Sequence, residues 1–133
     1  MLPAFNGLLN NDFIIAEQSS NTFYLDTVRD TVYGYTDGIA AMKQAIYLAL
    51  STERYRHVIF SRNYGVELDD LIGEPASYAI PEIQRRIEEA LTQDTRISGV
   101  DGFDFRIEKN KVIATFSVTT IYGAILFEKA VTI

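Results

Sequence analysis

The chain of 133 residues contains no cysteine and a single histidine, His57. The lack of cysteine excludes a disulfide framework, and the lack of a His/Cys cluster excludes a structural zinc site. Basic residues are also few, with 12 Lys and Arg against 18 Asp and Glu, a formal charge of −6. A nucleic-acid surface needs a clustered basic face, so the composition argues against nucleic acid as a partner. No phosphate-binding glycine pattern is present, and no cofactor is expected.

Long apolar runs are missing as well. The longest, residues 58–60 and 124–127, fall far short of the roughly 20 residues that a membrane-spanning helix needs. The N-terminus lacks a basic region followed by an apolar core, so no signal peptide is expected. We therefore expect a soluble protein made in the cytoplasm, with no membrane partner. The length favours one domain, residues 22–133, after an N-terminal arm at residues 1–21.

Local patterns predict a hairpin followed by a helix. Apolar and aromatic residues at 23–25 and 32–33 flank a polar turn at 28–30, which is typical of a short β-hairpin. Asp37 is placed to cap the next element. Over residues 38–52, apolar side chains recur at steps of three and four residues, which predicts an amphipathic helix.

Two further helices are predicted before the C-terminal region. A short one at residues 66–72 would end at Gly73, because glycine adopts a positive φ readily. A longer one at residues 80–93 would carry Pro81 in its first turn. The charged run at residues 85–89 is most simply interpreted as a solvated face of that helix.

From Ile97 onward the apolar residues alternate with polar ones, which is the period of a strand. Strands are expected at residues 103–108, 112–119 and 124–133, joined by turns. The predicted fold class is therefore α+β, with an N-terminal hairpin and two to three helices packed on a small antiparallel C-terminal β-meander.

No catalytic arrangement stands out in the sequence. Ser61 lacks the glycine-flanked elbow of a hydrolase nucleophile, and His57 lies on the same local segment. Paired carboxylates of the kind that glycosidases use are an alternative, although solvated carboxylates are the simpler interpretation. The acidic residues considered for such a pair are Glu53, Glu67, Asp69, Asp70 and Glu74.

Residues 52–68 are dense in charged and aromatic groups, and they carry a family resemblance. The blocks Thr-Glu-Arg-Tyr at 52–55 and Asn-Tyr-Gly-Val-Glu-Leu at 63–68 follow the helix that begins after Asp37. In this order and spacing they resemble the contractile-tail baseplate family, whose members are the baseplate wedge proteins also called sheath initiators. These proteins occur in contractile phages, phage-tail-like bacteriocins and type VI secretion systems. The resemblance covers about residues 22–133 and is greatest for a prophage-type branch.

The resemblance implies a non-enzymatic structural component of a tail or tail-like particle. Such a protein would link wedge proteins to the first sheath ring, with tube or hub proteins as further partners. Sheath subunits connect by exchanging strands, so the initiator would supply the first sheet edge, by β-augmentation. Assembly would take place in the bacterial cytoplasm. Because some relatives were long labelled tail lysozymes, the alternative is a peptidoglycan hydrolase that uses paired carboxylates.

The first candidate interface lies in the stretch of residues 52–68. Arginine and tyrosine are enriched at interfaces because they offer planar donors and a large contact area. The predicted contacts are Glu53, Arg54, Arg56, Arg62 and Tyr64. An internal salt bridge between Glu53 and Arg54 is the alternative for that pair.

The second candidate interface is Asp94 with Arg96. Many relatives carry Glu-Pro-Arg at the matching place, and here Thr95 stands where they have proline. The resemblance implies contact with neighbouring wedge proteins at this position, and the retained charges suggest an ion pair.

The third candidate interface is the C-terminal strand, which is apolar on both sides and would form an exposed edge. The side chains predicted to share its contact face are Ile125, Phe127, Val131 and Ile133. The alternative is that this strand is central in the domain's own sheet, in which case the strand at 103–108 would offer the edge.

Overall fold

The structure is a computed structural model, and it describes residues 20–133. The predicted N-terminal arm lies outside the described residues, apart from its last two. The elements in chain order are β1 (Thr22–Asp26), β2 (Thr31–Thr36), α1 (Gly38–Ser51), a 3-10 turn (Asp69–Leu71), α2 (Ala76–Thr92), β3 (Ile97–Glu108), β4 (Lys111–Thr120) and β5 (Gly123–Thr132). The predicted α+β class, with its C-terminal antiparallel meander, is confirmed.

The predicted hairpin is formed by β1 and β2, which pair antiparallel with an irregularity between Phe23 and Leu25. Both strands are exposed over most of their length. The hairpin is attached to α1 through Gln44, whose Nε2 donates to the carbonyl of Phe23 at 2.7 Å. The Oε1 of the same side chain accepts from the backbone N–H of Leu25 at 2.9 Å. One amide side chain therefore satisfies two backbone groups on the outer edge of β1.

Helix α1 begins where the cap was predicted. The carboxylate of Asp37 accepts from the N–H of Gly38 at 2.7 Å, and the backbone of Asp37 is extended. Along the helix, one stripe faces the interior and buries Ala41, Met42, Ile46 and Leu50. The spacing of three and four residues thus places these side chains in the core as expected.

The prediction of a helix at residues 66–72 is wrong, because only the single 3-10 turn forms there. Val66 instead makes an isolated parallel bridge with Glu53, so its backbone is extended where a helix would begin. The prediction for the next helix is wrong at its start, which lies at Ala76. Pro75 is its N-cap residue, and Pro81 lies inside the helix at an exposed position.

The C-terminal sheet has the order β3-β4-β5, so β4 is its central strand. The core-facing side chains of β4, at every second position from Val112 to Val118, have 0% exposure. Helix α2 packs on this face and contributes Ile83 and Ile87 to the same core. The alternative that the C-terminal strand is central is therefore wrong. Within residues 20–133, β5 pairs with β4 and with no other strand.

Candidate interaction site

Residues 52–68 form a loop whose two ends are joined. The N–H of Val66 donates to the carbonyl of Thr52 at 3.0 Å, and the N–H of Arg54 donates to the carbonyl of Val66 at 3.2 Å. Gly65 makes this closure possible, because its φ is +91° and a Cβ there would lie 2.5 Å from the carbonyl oxygen of Thr52. The loop therefore has a fixed base. The sequence of the loop could be recognised beforehand, but its closure could not.

The base of the loop is held by charged groups that point inward. The carboxylate of Glu53 accepts from the N–H groups of Leu68 at 3.1 Å and Asp69 at 3.3 Å, at the start of the 3-10 turn. Arg54 has a side chain that is only 7% exposed, and its guanidinium lies 2.7 Å from the carboxylate of Glu89 on α2. Burial disfavours the charged form of Arg54, but the hydrogen bond with Glu89 and the negative charges of Glu89 and Glu67 together outweigh it and raise the arginine pKa. The Glu53–Arg54 salt bridge is not formed, because each side chain has a different partner.

The tip of the loop is exposed and apolar. Val58 is 100% exposed and Ile59 is 88% exposed. They lie beside an aromatic cluster in which the ring centroid of Phe60 is 5.9 Å from that of His57 and 4.6 Å from that of Tyr64. The segment runs through a series of turns. This surface is a candidate contact that the sequence signals only by its unbroken apolar triplet at 58–60.

The predicted contact residues on the loop differ in their exposure and in their partners. Arg62 is exposed, and Arg56 is exposed but forms an ion pair with Asp69. Tyr64 is half-buried. Burial raises the pKa of its hydroxyl, and this effect exceeds that of a hydrogen bond with Thr52, which lowers the pKa. Arg62 is thus an exposed arginine that, among residues 20–133, forms no ion pair.

Arg86 is a structural residue that the sequence reasoning missed. It was assigned to a solvated face, and that assignment is wrong because the residue is only 9% exposed. Its Nη1 donates to the carbonyl of Glu67 at 3.0 Å, and its Nε donates to Glu82 at 3.1 Å. It also pairs with Asp70. The four-residue spacing between Glu82 and Arg86 signalled their ion pair. The burial of Arg86, however, depends on the approach of residues 67–70, which follow the loop.

Three of the five carboxylates considered for hydrolysis have other partners within the fold. Glu53 accepts from backbone N–H groups, Asp69 pairs with Arg56, and Asp70 pairs with Arg86. Over residues 20–133, no group of three His, Asp or Glu side chains is placed to hold a metal ion. The geometry therefore does not favour the hydrolase alternative.

Asp94 and Arg96 form the ion pair that the family resemblance and the retained charges suggested. The guanidinium donates to both carboxylate oxygens, from Nε at 3.0 Å and from Nη2 at 2.7 Å. The hydrogen bond from Arg96 lowers the pKa of Asp94 and outweighs the opposing effect of burial. Arg96 also donates to Ser20 at 3.1 Å, and Ser20 shares a hydrogen bond of 2.6 Å with the hydroxyl of Tyr122. The pair thus joins the end of α2, the start of β3, the chain before β1 and the β4–β5 turn.

Two of the predicted interfaces meet at one cavity. A cavity of about 670 Å³ opens between α1 and α2, and both Tyr64 of the loop and the Asp94–Arg96 pair line it. Gln44, which holds the hairpin, lies in the same wall. The structure therefore brings together residues that are about 30 positions apart in the sequence, whereas Arg62 and the loop tip lie outside this set.

The predicted contacts on the C-terminal strand face the domain's own core. Ile125 is 4% exposed and Val131 is 3% exposed, while Phe127 and Ile133 are partly buried against the same cluster. On the opposite face, Leu126 is 75% exposed. What β5 offers a partner is therefore its backbone edge and its outer face, while the four predicted side chains fix the strand in place.

The hairpin carries aromatic pairs that the sequence reasoning did not single out. The rings of Phe23 and Tyr35 stack with centroids 5.3 Å apart, and those of Tyr24 and Tyr33 meet edge to face at 5.2 Å. Their exposures run from 39% for Tyr24 to 73% for Tyr35. The available signal was that Phe23 and Tyr24 occupy successive positions, and hence opposite faces, of β1.

The fold is that of an α+β protein with three exposed features: a loop tip, an aromatic hairpin and a sheet edge. No helix among the described residues has the length and apolar composition needed to cross a membrane. Residues 14–123 match the family of contractile injection system sheath initiators. The chain is also 34% identical over 118 residues to the phage-like element PBSX protein XkdS of Bacillus subtilis (strain 168), covering 86% of this chain and 84% of that protein. The chain therefore belongs to the contractile injection system sheath initiator family, a family of structural tail components, and the predicted resemblance is confirmed.

Proposed function

We propose that this protein is a non-enzymatic baseplate component that links wedge proteins to the first sheath ring by strand addition. It would assemble in the bacterial cytoplasm into a contractile phage tail or tail-like particle, with residues 22–133 acting as one domain. Family membership supports the structural role. The observation that carries the mechanism is the edge of β5, which has no strand partner within residues 20–133.

The two edges of the C-terminal sheet differ in regularity, and this favours β5 as the docking edge. The pairing of β3 with β4 is interrupted between Ile97 and Gly99 and again between Asp101 and Asp104. The ten residues of β5 pair with β4 without interruption. Irregular pairing twists an edge away from further strands, whereas a regular edge presents evenly spaced N–H and C=O groups. A sheath strand would therefore add to β5.

The loop of residues 52–68 would contact the wedge proteins. Arg62 and the apolar loop tip are accessible, and the loop base beneath them is tied to α2 through Arg54. A rigid base lowers the entropy cost of ordering a contact surface on binding. The Asp94–Arg96 pair lines the cavity between α1 and α2. It would stabilise the cavity wall against which a segment of a wedge protein packs.

Strand addition is tested by hydrogen exchange on the full chain, free and assembled with its sheath protein. In an antiparallel sheet, alternate amides of β5 point toward the open edge, and these should become protected on assembly. Amides of the β3 edge should change little. Unchanged exchange along β5 in a complete particle would contradict the proposed mechanism.

The wedge contact is tested by Arg62→Glu. Copurification with wedge proteins should fall at least about tenfold, which corresponds to ~1.4 kcal/mol. Lys43→Glu is the matched control, because it makes the same charge change at an exposed position on α1. Equal recovery of both variants with intact folding would remove Arg62 from the interface. Clear cell-wall lysis in a zymogram would contradict the non-enzymatic role.

A further inference from the structure

Lys129 occupies an unexpected position in the C-terminal sheet. It lies on the core-facing side of β5, in the same row as Phe127 and Val131, and it is partly buried. Its cross-strand neighbour on β4 is Ala114, which has 0% exposure and offers no charge. An ammonium group thus stands in a row that is otherwise apolar, on a strand at the edge of the sheet.

Among the residues that the structure describes, none forms a direct ion pair with Lys129. The residue lines a cavity of about 220 Å³ that also includes Glu53, Arg56 and Asp69. The carboxylate of Glu53 accepts from backbone N–H groups, and that of Asp69 pairs with Arg56. Within residues 20–133, no carboxylate lies within 4 Å of the Lys129 ammonium. Burial lowers the pKa of Lys129, and the charge of Glu53 opposes that shift only in part.

A strand that joins β5 would change this balance. Natural edge strands carry inward-pointing charges to discourage unwanted pairing, and Lys129 fits that description. An added strand would cover Lys129 on its open side and remove water from it. An apolar residue opposite Lys129 would leave the ammonium unpaired at a high cost in free energy. A Glu or Asp there would have its Cβ about 5 Å from that of Lys129, and its carboxylate could form a cross-strand pair with the ammonium.

We propose that Lys129 selects the incoming strand and its register. The occupant of the β5 edge is a strand of a partner protein that carries Glu or Asp opposite Lys129, on the core-facing side. This inference rests on the proposed strand addition and adds the chemistry of the strand. A shift of one residue would move the carboxylate to the opposite face, so the charge pair also fixes the alignment of the strand.

The experiment uses the full chain and synthetic nine-residue peptides in which Thr and Val alternate, blocked at both ends. The central Val is replaced by Glu, Gln or Lys, and affinities are measured by fluorescence anisotropy. The protein should bind the Glu peptide at least about tenfold more tightly than the Lys peptide, a difference of ~1.4 kcal/mol. Hydrogen exchange should place the bound peptide on β5.

Variants at this position separate charge selection from folding. Lys129→Glu should reverse the preference, and Lys129→Met should bind all three peptides with affinities within about threefold of one another, ~0.7 kcal/mol. Lys111→Glu is the matched control, because Lys111 lies exposed at the start of β4, opposite Thr132. It should keep the wild-type preference. Circular dichroism would check the fold of each variant, and Lys129→Met keeps the test valid if Lys129→Glu does not fold.

The outcomes distinguish this inference from the proposed function. Binding at β5 without a charge preference would overturn the role of Lys129 and leave strand addition standing. If no peptide bound and β5 also gained no protection in the particle, strand addition itself would fail. If the β5 edge amides were already protected from hydrogen exchange in the free protein and its mass were monomeric, the edge would be covered by residues of the same chain. A dimeric mass would assign it to a second copy, and either result would overturn the inference.

Discussion

The two sheets of this protein are built from similar residues but bury them very differently. In the C-terminal sheet, Phe116 of the central strand has 0% exposure, and its ring stacks on that of Phe103 with centroids 5.2 Å apart. In the N-terminal hairpin, Phe23 and Tyr35 also stack, at 5.3 Å, yet they are 60% and 73% exposed. A hairpin of two strands is marginally stable in water without a packed face. The comparison shows that aromatic content alone does not define a core, because burial depends on what covers the ring.

The hairpin therefore depends on few connections to the rest of the domain. Gln44 holds the backbone of β1, and Ser20 connects the preceding chain to Arg96 and Tyr122. We infer that the C-terminal sheet with α1 and α2 forms the stable unit and that the hairpin is the less stable one. The four predictions below test this difference, beginning with the largest expected effect.

Phe116→Ala should destabilise the protein by about 3–5 kcal/mol, because it leaves a cavity in the centre of the core. Tyr35→Ala, the counterpart on the hairpin, should cost less than about 1 kcal/mol. Urea unfolding followed by circular dichroism measures both. Similar losses for the two variants would contradict the division into a stable sheet and a marginal hairpin.

Gly65→Ala should destabilise the base of the loop by about 2–3 kcal/mol. The added Cβ would lie 2.5 Å from the carbonyl oxygen of Thr52, in addition to the strain of a positive φ. Gly73→Ala is a matched control, since its φ is +90° and no atom lies within 4 Å of an added Cβ. It should cost about 1 kcal/mol. Equal effects on thermal unfolding would show that the close approach at Gly65 relaxes without cost.

Gln44→Ala should loosen the hairpin by about 1–2 kcal/mol, because two backbone groups of β1 lose their partner. The effect should be local. Hydrogen exchange should accelerate in β1 and β2 while the amides of β4 keep their protection. Acceleration throughout the chain would mean that the hairpin and the C-terminal sheet unfold together. Lys43→Ala, at the preceding exposed position of α1, is the control.

Asp94→Asn should give the smallest effect, about 1 kcal/mol at neutral pH. The pKa of Asp94 in the folded protein is below its ordinary value of 3.8, so its ionised form stabilises the fold. That contribution is fully present above about pH 4 and is lost as the pH falls through the lower folded pKa. Urea titrations from pH 7 to pH 2.5 should show the wild type and the variant converging at the acidic end. A constant difference would mean that the carboxylate charge does not contribute.

Much of the fold could be predicted because its signals are local. Asp37 precedes an amphipathic repeat, and the alternation after Ile97 gives three strands with the right order. The errors occur where distant segments decide. Residues 66–72 have a helical pattern, but the bridge from Val66 to Glu53 extends the chain there. The helix α2 begins before Pro81 because Pro75 already supplies the N-cap conformation.

The candidate site was predicted in part, for a similar reason. The residue blocks at 52–55 and 63–68 identified the family, and the charges that the chain shares with its relatives at Asp94 and Arg96 suggested their ion pair. Whether a charge faces water or a neighbour could not be predicted, since Arg54 and Arg86 become buried only when the loop packs on α2. Side chains of β5 assigned to a partner proved to face the core, because the alternation of a strand does not say which face is covered.

The sequence by itself determined the family, the α+β class and the periodic faces of each element, because these depend on neighbouring residues and their spacing. The tertiary structure alone decided which strand lies at the edge of the sheet, which arginines are buried, and that Lys129 points inward on that edge. These features arise from contacts between segments far apart in the chain. Their free energy depends on the surroundings that the fold creates, and no local pattern encodes those surroundings.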